Sequence, residues 1–178
     1  MIVYHAAITA SADFLDRASA YRQAHLERML ELRARGLVIG ASLSPDGNAA
    51  DVFYRVRQPS EITAVIEEDP YFRGHAWVAY TLRSFSQFIE PWELPPPATD
   101  GSRTATITGG IATDPDMANF ALIEWRGMGR LAFGGFFEAG QTLGLFRTSD
   151  PDTALGWLTE TGFWQVDSLT ARPLCWLF

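Results

Sequence analysis

Apolar positions along this chain keep two rhythms, a short strand-like one and a 3.6-residue one, and the rhythms follow each other in the same order twice. Ile2 to Thr9 is short and partly β-branched, which predicts a strand. Ala18 to Arg35 places Tyr21, Leu26, Met29, Leu30 and Leu32 near the helical period, and Gly36 is a natural stop for that helix. Leu37 to Leu43 and Asp51 to Arg57 read as strands on either side of the turn cluster Ser44-Pro45-Asp46-Gly47-Asn48. Ser60 is placed to cap a short helix carrying Ile62, Val65 and Ile66, which ends at the residue before Pro70. Trp77 to Phe85 closes the series as a last strand. The order is therefore βαββαβ, that of the ferredoxin-like motif, one antiparallel sheet with two helices on one face.

The same plan recurs in shorter form. Thr104 to Ala112 predicts a strand, Pro115 to Trp125 a helix, Leu131 to Glu138 and Thr142 to Thr148 a hairpin, Pro151 to Thr161 a helix and Ser168 to Leu177 a closing strand. At a step of 92 residues, Tyr54-Arg55, Pro59 and Asp69-Pro70-Tyr71-Phe72 meet Phe146-Arg147, Pro151 and Thr161-Gly162-Phe163-Trp164. At a step of 93, Gly36 and Gly47 meet Gly129 and Gly140. The pattern predicts a tandem duplication, with a first domain over residues 1–92, a proline-rich linker over 93–103 and a second copy over 104–178. A unit of about 90 residues is marginal alone, and each sheet has a bare face to cover. The expected architecture is α+β, two ferredoxin-like βαββαβ domains packed face to face as a barrel-like pair. A monomer with an internal pseudo-dimer would satisfy it, and a homodimer is the alternative.

Composition narrows the function more than the fold. The net charge is -7, spread over both halves: residues 1–95 hold 9 Arg against 12 acids, and residues 96–178 hold 5 Arg against 9 acids. No basic patch awaits a phosphate backbone, so nucleic acid is not an expected partner. Lysine is absent, which removes Schiff-base chemistry and phosphate-loop lysines. The single Cys175 has no partner for a disulfide within the chain. Met1 to Ala10 lacks a basic start, and no apolar run approaches the roughly 18 residues of a membrane span. The expectation is a cytoplasmic protein without a membrane segment.

All three histidines, His5, His25 and His75, lie in the first half. Arg22 stands one helical turn before His25, so guanidinium and imidazole emerge on neighbouring parts of one face, with Tyr21 and Met29 flanking at four-residue steps. His25 is then either a half-buried core histidine satisfied by a carbonyl or a proton carrier. Glu67-Glu68-Asp69 sits at the end of the second helix, where the dipole disfavours carboxylates. Asp69 reads either as a helix terminator with Pro70, or as a carboxylate held by Arg22 or His25 if the two helices pack side by side. His5 and His75 lie on or beside strands that neighbour each other in a ferredoxin-like sheet. A metal held by them with Asp69 has no support from their spacing. Gly109-Gly110 and Gly134-Gly135 lack the lysine and helix of a phosphate loop and read as backbone accommodation in the sheet. In the second half, Phe136, Phe137 and Trp164 are candidate pocket lining and the other aromatics core.

Arg22-x-x-His25-Leu26, Gly36 with Gly40, and Asp69-Pro70-Tyr71 with Gly74 resemble the signature of the YCII-related (YciI-like) family over about residues 1–91. The resemblance implies a ferredoxin-like fold paired into a dimeric α/β barrel, with His25 and Asp69 as an active-site dyad and Arg22 as an anion or oxyanion holder. Tyr71, His5 and His75 are the expected substrate-binding residues. The known activity among relatives is removal of chloride from a chlorinated hydroxylated aromatic ring. The expected function is a cofactor-independent, metal-free enzyme of lyase or isomerase type acting on a small cyclic or phenolic compound. A non-catalytic ligand-binding or accessory protein and a purely structural module are the alternatives. In the second copy Thr161 and Gly162 stand in place of Asp69 and Pro70, so no second dyad is expected.

Overall fold

The computed structural model describes residues 1–178, which divide into two compact units, Met1–Ser84 with Leu177–Phe178, and Phe85–Trp176. The first unit runs β1 (Ile2–Ala10), α1 (Phe14–Ala34), β2 (Val38–Leu43), β3 (Ala49–Val56), α2 (Ile62–Glu67), α3 (Pro70–Arg73) and β4 (Trp77–Ser84). Its strands form an antiparallel sheet in the order β4-β1-β3-β2. In the second unit a short strand, β5 (Gln87–Ile89), precedes β6 (Thr104–Ile111), α4 (Pro115–Gly127), β7 (Leu131–Phe136), β8 (Gln141–Phe146), α5 (Pro151–Thr161) and β9 (Thr170–Trp176). These strands are antiparallel in the order β9-β6-β8-β7-β5. Both units are α+β with the ferredoxin-like strand order, and β5 is an addition at one edge.

Local chemistry accounts for most element ends. Gly36 and Gly129 both take left-handed backbone (φ 72° and 76°) after a helix. In each case the glycine N–H and the next N–H turn back to helix carbonyls, Gly36 to Arg33 and Leu37 to Leu32, Gly129 to Arg126 and Arg130 to Trp125. That pairing satisfies the orphan acceptors of the last turn. The first helix starts at Phe14, four residues before the expected Ala18. Phe14 and Ala18 continue its buried stripe through His25, Met29 and Leu32 at three-, four- and seven-residue steps, whereas Tyr21 and Leu30 are exposed. Ser60 is not a cap. Pro59 opens a 3-10 turn after extended Gln58, whose side chain makes no capping bond, while Glu61 Oε2 accepts the Arg57 N–H at 3.0 Å.

Strand alternation sorts the first sheet into two faces. Tyr4, Ala6 and Ile8 stand opposite Tyr54, Val52 and Ala50 and join Met29, Leu32, Ile62 and Ile66 in the core beneath the helices. His5 and Ala7, opposite Phe53 and Asp51, project from the other face. In the second unit Leu131, Phe136 and Phe146 pack with Leu122, Trp125, Leu158 and Trp164. Trp164 is core, its indole N–H donating to Thr142 Oγ1 at 2.9 Å. Phe136 is in the same cluster, and Phe137 is buried and stacks on Phe85. Gly135 lets β5 approach, since a Cβ there would collide with the Gln87 carbonyl and the Phe85 ring. No helix is long and apolar enough to cross a membrane.

Tyr54, fully buried in β3, makes an alkaline prediction. Burial, reinforced by the charge of Asp69 and opposed by that of Arg28, pushes its phenol well above the ordinary value of 10.0. The folded chain keeps this proton where the unfolded chain loses it. Above about pH 10 stability therefore falls by about 1.4 kcal/mol per pH unit on account of this residue, and below that pH it contributes no slope. Tyr54→Phe is expected to flatten that limb in urea unfolding across about pH 9 to 11. An unchanged slope would contradict it.

Candidate active site

The dipeptide Asp-Pro occurs three times, at Asp69, Asp114 and Asp150, and each time the aspartate caps a helix whose first residue is the proline. The proline's fixed φ and missing N–H suit that position, and the carboxylate accepts an orphan N–H of the first turn. Asp69 therefore opens α3 rather than closing α2, which ends at Glu67. Its Oδ1 accepts the Tyr71 N–H at 2.8 Å. Asp114 and Asp150 are exposed, whereas Asp69 is 1% exposed.

That burial is explained by what Asp69 faces. Its Oδ1 lies 2.8 Å from Nδ1 of His25, which occupies an apolar-stripe position on α1 and is 6% exposed. Tyr71 stacks on the imidazole, ring centroids 3.9 Å apart and planes 12° from parallel, and Trp77 meets the imidazole edge at 5.0 Å. Phe14 packs edge-on against Tyr71 at 5.5 Å. Asp-Pro-Tyr thus serves one arrangement: the aspartate caps, the proline presets the turn, and the tyrosine donates to the cap and covers the histidine. In a neutral imidazole that donates Nδ1–H to this carboxylate, Nε2 is the nitrogen with the lone pair.

Arg22 is exposed one turn before His25. Burial pushes the Tyr71 phenol up, with the Arg22 charge opposing and the Asp69 charge adding to the rise. Tyr21 lies over α3, for a Cβ on Gly74 would run into its ring. Glu68 pairs with Arg28 at 3.2 Å, and Glu67 accepts from the Tyr80 hydroxyl at 2.9 Å.

His5 and His75 do not join this group. His5 points from the opposite sheet face, where its Nε2 lies 2.7 Å from Asp51 Oδ1 and its ring stacks on Phe53 at 5.0 Å. His75 is exposed in a left-handed conformation (φ 55°) just before β4. In the β1–β4 ladder His5 faces Arg83 while Trp77 faces Ala10, so the two histidines sit at opposite ends. No three His, Cys, Asp or Glu side chains are arranged to hold a metal ion. Asp51 and Trp77 were not singled out in the sequence. A carboxylate inside the apolar run of β3 was the available signal for Asp51; for Trp77 there was none.

Neither a protein-family model nor a curated protein matches the chain. Among solved structures, a putative monooxygenase from Lactobacillus acidophilus superposes with a TM-score of 0.60 at 12% identity, covering 98% of this chain and 93% of its own. Another putative monooxygenase, from Fusobacterium nucleatum, gives 0.61 at 7% identity, covering 99% and 92%. At these identities the likeness is one of α+β fold alone. A 5-chloro-2-hydroxyhydroquinone dehydrochlorinase from Burkholderia phenoliruptrix, 13% identical, covers 45% of this chain and 89% of its own with a TM-score of 0.41, too low to carry weight.

Proposed function

We propose that the chain is a small-molecule enzyme of lyase or isomerase type in which His25 moves a proton and Asp69 holds it in place. The observation that carries this reading is the 2.8 Å contact between His25 Nδ1 and Asp69 Oδ1, made by a carboxylate already fixed as a helix cap. It leaves Nε2 as the basic nitrogen. The resemblance to the YCII-related family supports the same pair.

In this reading Nε2 takes a proton from a hydroxyl or an activated carbon of a small cyclic or phenolic substrate. From a hydroxyl the electron pair stays on the oxygen, and from an activated carbon it moves through the conjugated system onto oxygen; in both cases Arg22 steadies the resulting phenolate or enolate charge. In an isomerisation the proton returns at another carbon. In an elimination chloride departs with its bonding pair, and substrate becomes product plus HCl. The second unit, with Thr161 and Gly162 at the step of 92, is read as a degenerate copy without a dyad.

A panel of hydroquinones, catechols and lactones, with and without ring chlorine, tests this by chloride release and by deuterium uptake from heavy water. His25→Gln is expected to lower turnover at least about a hundredfold. Full turnover by that variant would refute the assignment. The near-complete burial of both partners favours a second reading, a ligand-binding protein in which the pair only joins helix to turn. Tight binding of a panel member without turnover would select it.

A further inference from the structure

Two arginines of the second unit face no acid. Arg103 lies just before β6 and Arg147 just after β8. Neither forms an ion pair, and the Arg147 guanidinium makes no hydrogen bond. Arg103 gives one terminal nitrogen to the Pro96 carbonyl at 2.6 Å, while the other, Nη1, is buried without a partner. The Asp100 carboxylate accepts from the Ser102 N–H and hydroxyl and pairs with neither guanidinium.

Strand register gathers both over one indole. Trp176 stands opposite Arg103, its N–H donating to the Arg103 carbonyl at 2.8 Å, one step beyond the pair of Thr104 with Cys175. Arg147 follows the pair of Thr106 with Phe146, which places it on the face of Ala105 and hence of Arg103 and Trp176. Phe146 points into the helix-side core, so this is the other face of the sheet. β6 lies between β9 and β8, and the side chains converge over its end. Cζ of Arg103 is 5.3 Å from the Trp176 ring centroid and Cζ of Arg147 is 5.7 Å from it. Trp176 is 5% exposed and its indole N–H also has no partner. Arg147 is exposed, so the cluster opens to solvent on that side.

Every unused polar group here is a donor, since neither guanidinium nor indole can accept. Both guanidiniums stay charged at any physiological pH. Stacking on the indole steadies each cation, yet it leaves their N–H groups unused and their mutual repulsion in place. In a chain of net charge -7, two cations collected without a carboxylate suit an anion. Their two charges match a phosphate dianion, whose oxygens fit the guanidinium fork. We propose that Arg103, Arg147 and the Trp176 indole N–H form a binding site for a phosphate dianion, free or as the monoester end of a small ligand. The site lies in the unit without the dyad and does not depend on the proton-transfer reading.

Titration of the whole chain with inorganic phosphate, followed through the Trp176 Nε1–H cross-peak in nitrogen–proton NMR, tests it. The expected result is a saturable shift that sodium chloride at equal ionic strength does not produce. Arg147→Gln is expected to weaken phosphate binding at least about tenfold, because a charge-assisted bond is lost. Phenyl phosphate separates the two sources: tighter binding than inorganic phosphate upholds the site as one for an organic monoester, and binding no tighter upholds it as one for the free ion. A peak that moves alike in phosphate and chloride would overturn the proposal. So would acetate binding as tightly as phosphate, or an Arg147→Gln protein that binds phosphate as well as the wild type. Should that variant not fold, the wild-type comparison of phosphate with chloride and acetate still decides the site.

Discussion

Asp69→Asn is expected to give a folded protein whose turnover is about 10²–10⁴-fold lower than wild type. Asparagine is nearly isosteric, and its side-chain oxygen can still accept the Tyr71 N–H, since asparagine is among the best helix caps. What changes is the group facing His25. Oδ1 meets both the Tyr71 N–H and Nδ1 of His25, so the amide oxygen in its place can keep both bonds, but it carries no negative charge. The imidazolium formed when Nε2 takes the substrate's proton is then without its stabilising carboxylate. Turnover on whichever panel compound the wild type converts checks the rate, and the nitrogen chemical shifts of the His25 ring check the tautomer. A variant that keeps the wild-type rate would show that His25 does not act as the base.

Asp69→Ala is expected to strike stability instead, by about 3–5 kcal/mol, because it removes one member of a buried polar pair and leaves the other without compensation. The same change deletes the cap of α3, so the Tyr71 N–H and the His25 imidazole lose their partner together. Against a typical total of about 5–15 kcal/mol, such a loss is a large share. Urea unfolding followed by tryptophan fluorescence measures it, and Trp77, at 5.0 Å from His25, reports from within the site. The contrast between variants is informative: Asn should recover most of the stability without the activity. The exposed caps Asp114 and Asp150 should tolerate alanine better, as neither is paired with a buried group. A loss at Asp69 no larger than at those two would mean that the dyad contributes little to the fold.

Much of the fold was legible along the chain where short-range chemistry decides it. The helix over Pro151–Thr161 starts and stops as its proline, capping aspartate and Gly162 dictate. Gly36 and Gly129, matched by a step of 93, take the same left-handed backbone for the same reason. The errors were also local. Of the two readings the sequence leaves open for Asp69, a helix stop and a carboxylate held by its neighbours, the stop is the one the structure replaces: like the other two Asp-Pro pairs, it stands where a helix begins. Serine favours a cap, but at Ser60 the turn has already begun with Pro59.

The site was legible as a set of residue types and not as an arrangement. His25 could be placed beside an apolar stripe and Asp69 near a helix end, but 44 residues separate them in sequence. No periodicity crosses that distance. The pairing of His5 with Asp51, 46 residues apart, needed the register of β1 on β3, and with it His5 left the group to which the sequence had assigned it. By itself the sequence determined the types and order of the twice-repeated βαββαβ elements, though not the short α3 or the edge strand β5, together with the turn glycines, the lack of lysine and the confinement of histidine to one half. All of these are properties of single residues or of neighbours within a helical turn. Only the tertiary structure decided which histidine met which aspartate, because that depends on strand register and helix packing. Those are selected by burial of apolar surface over the whole unit, and polar groups are carried into contact with it.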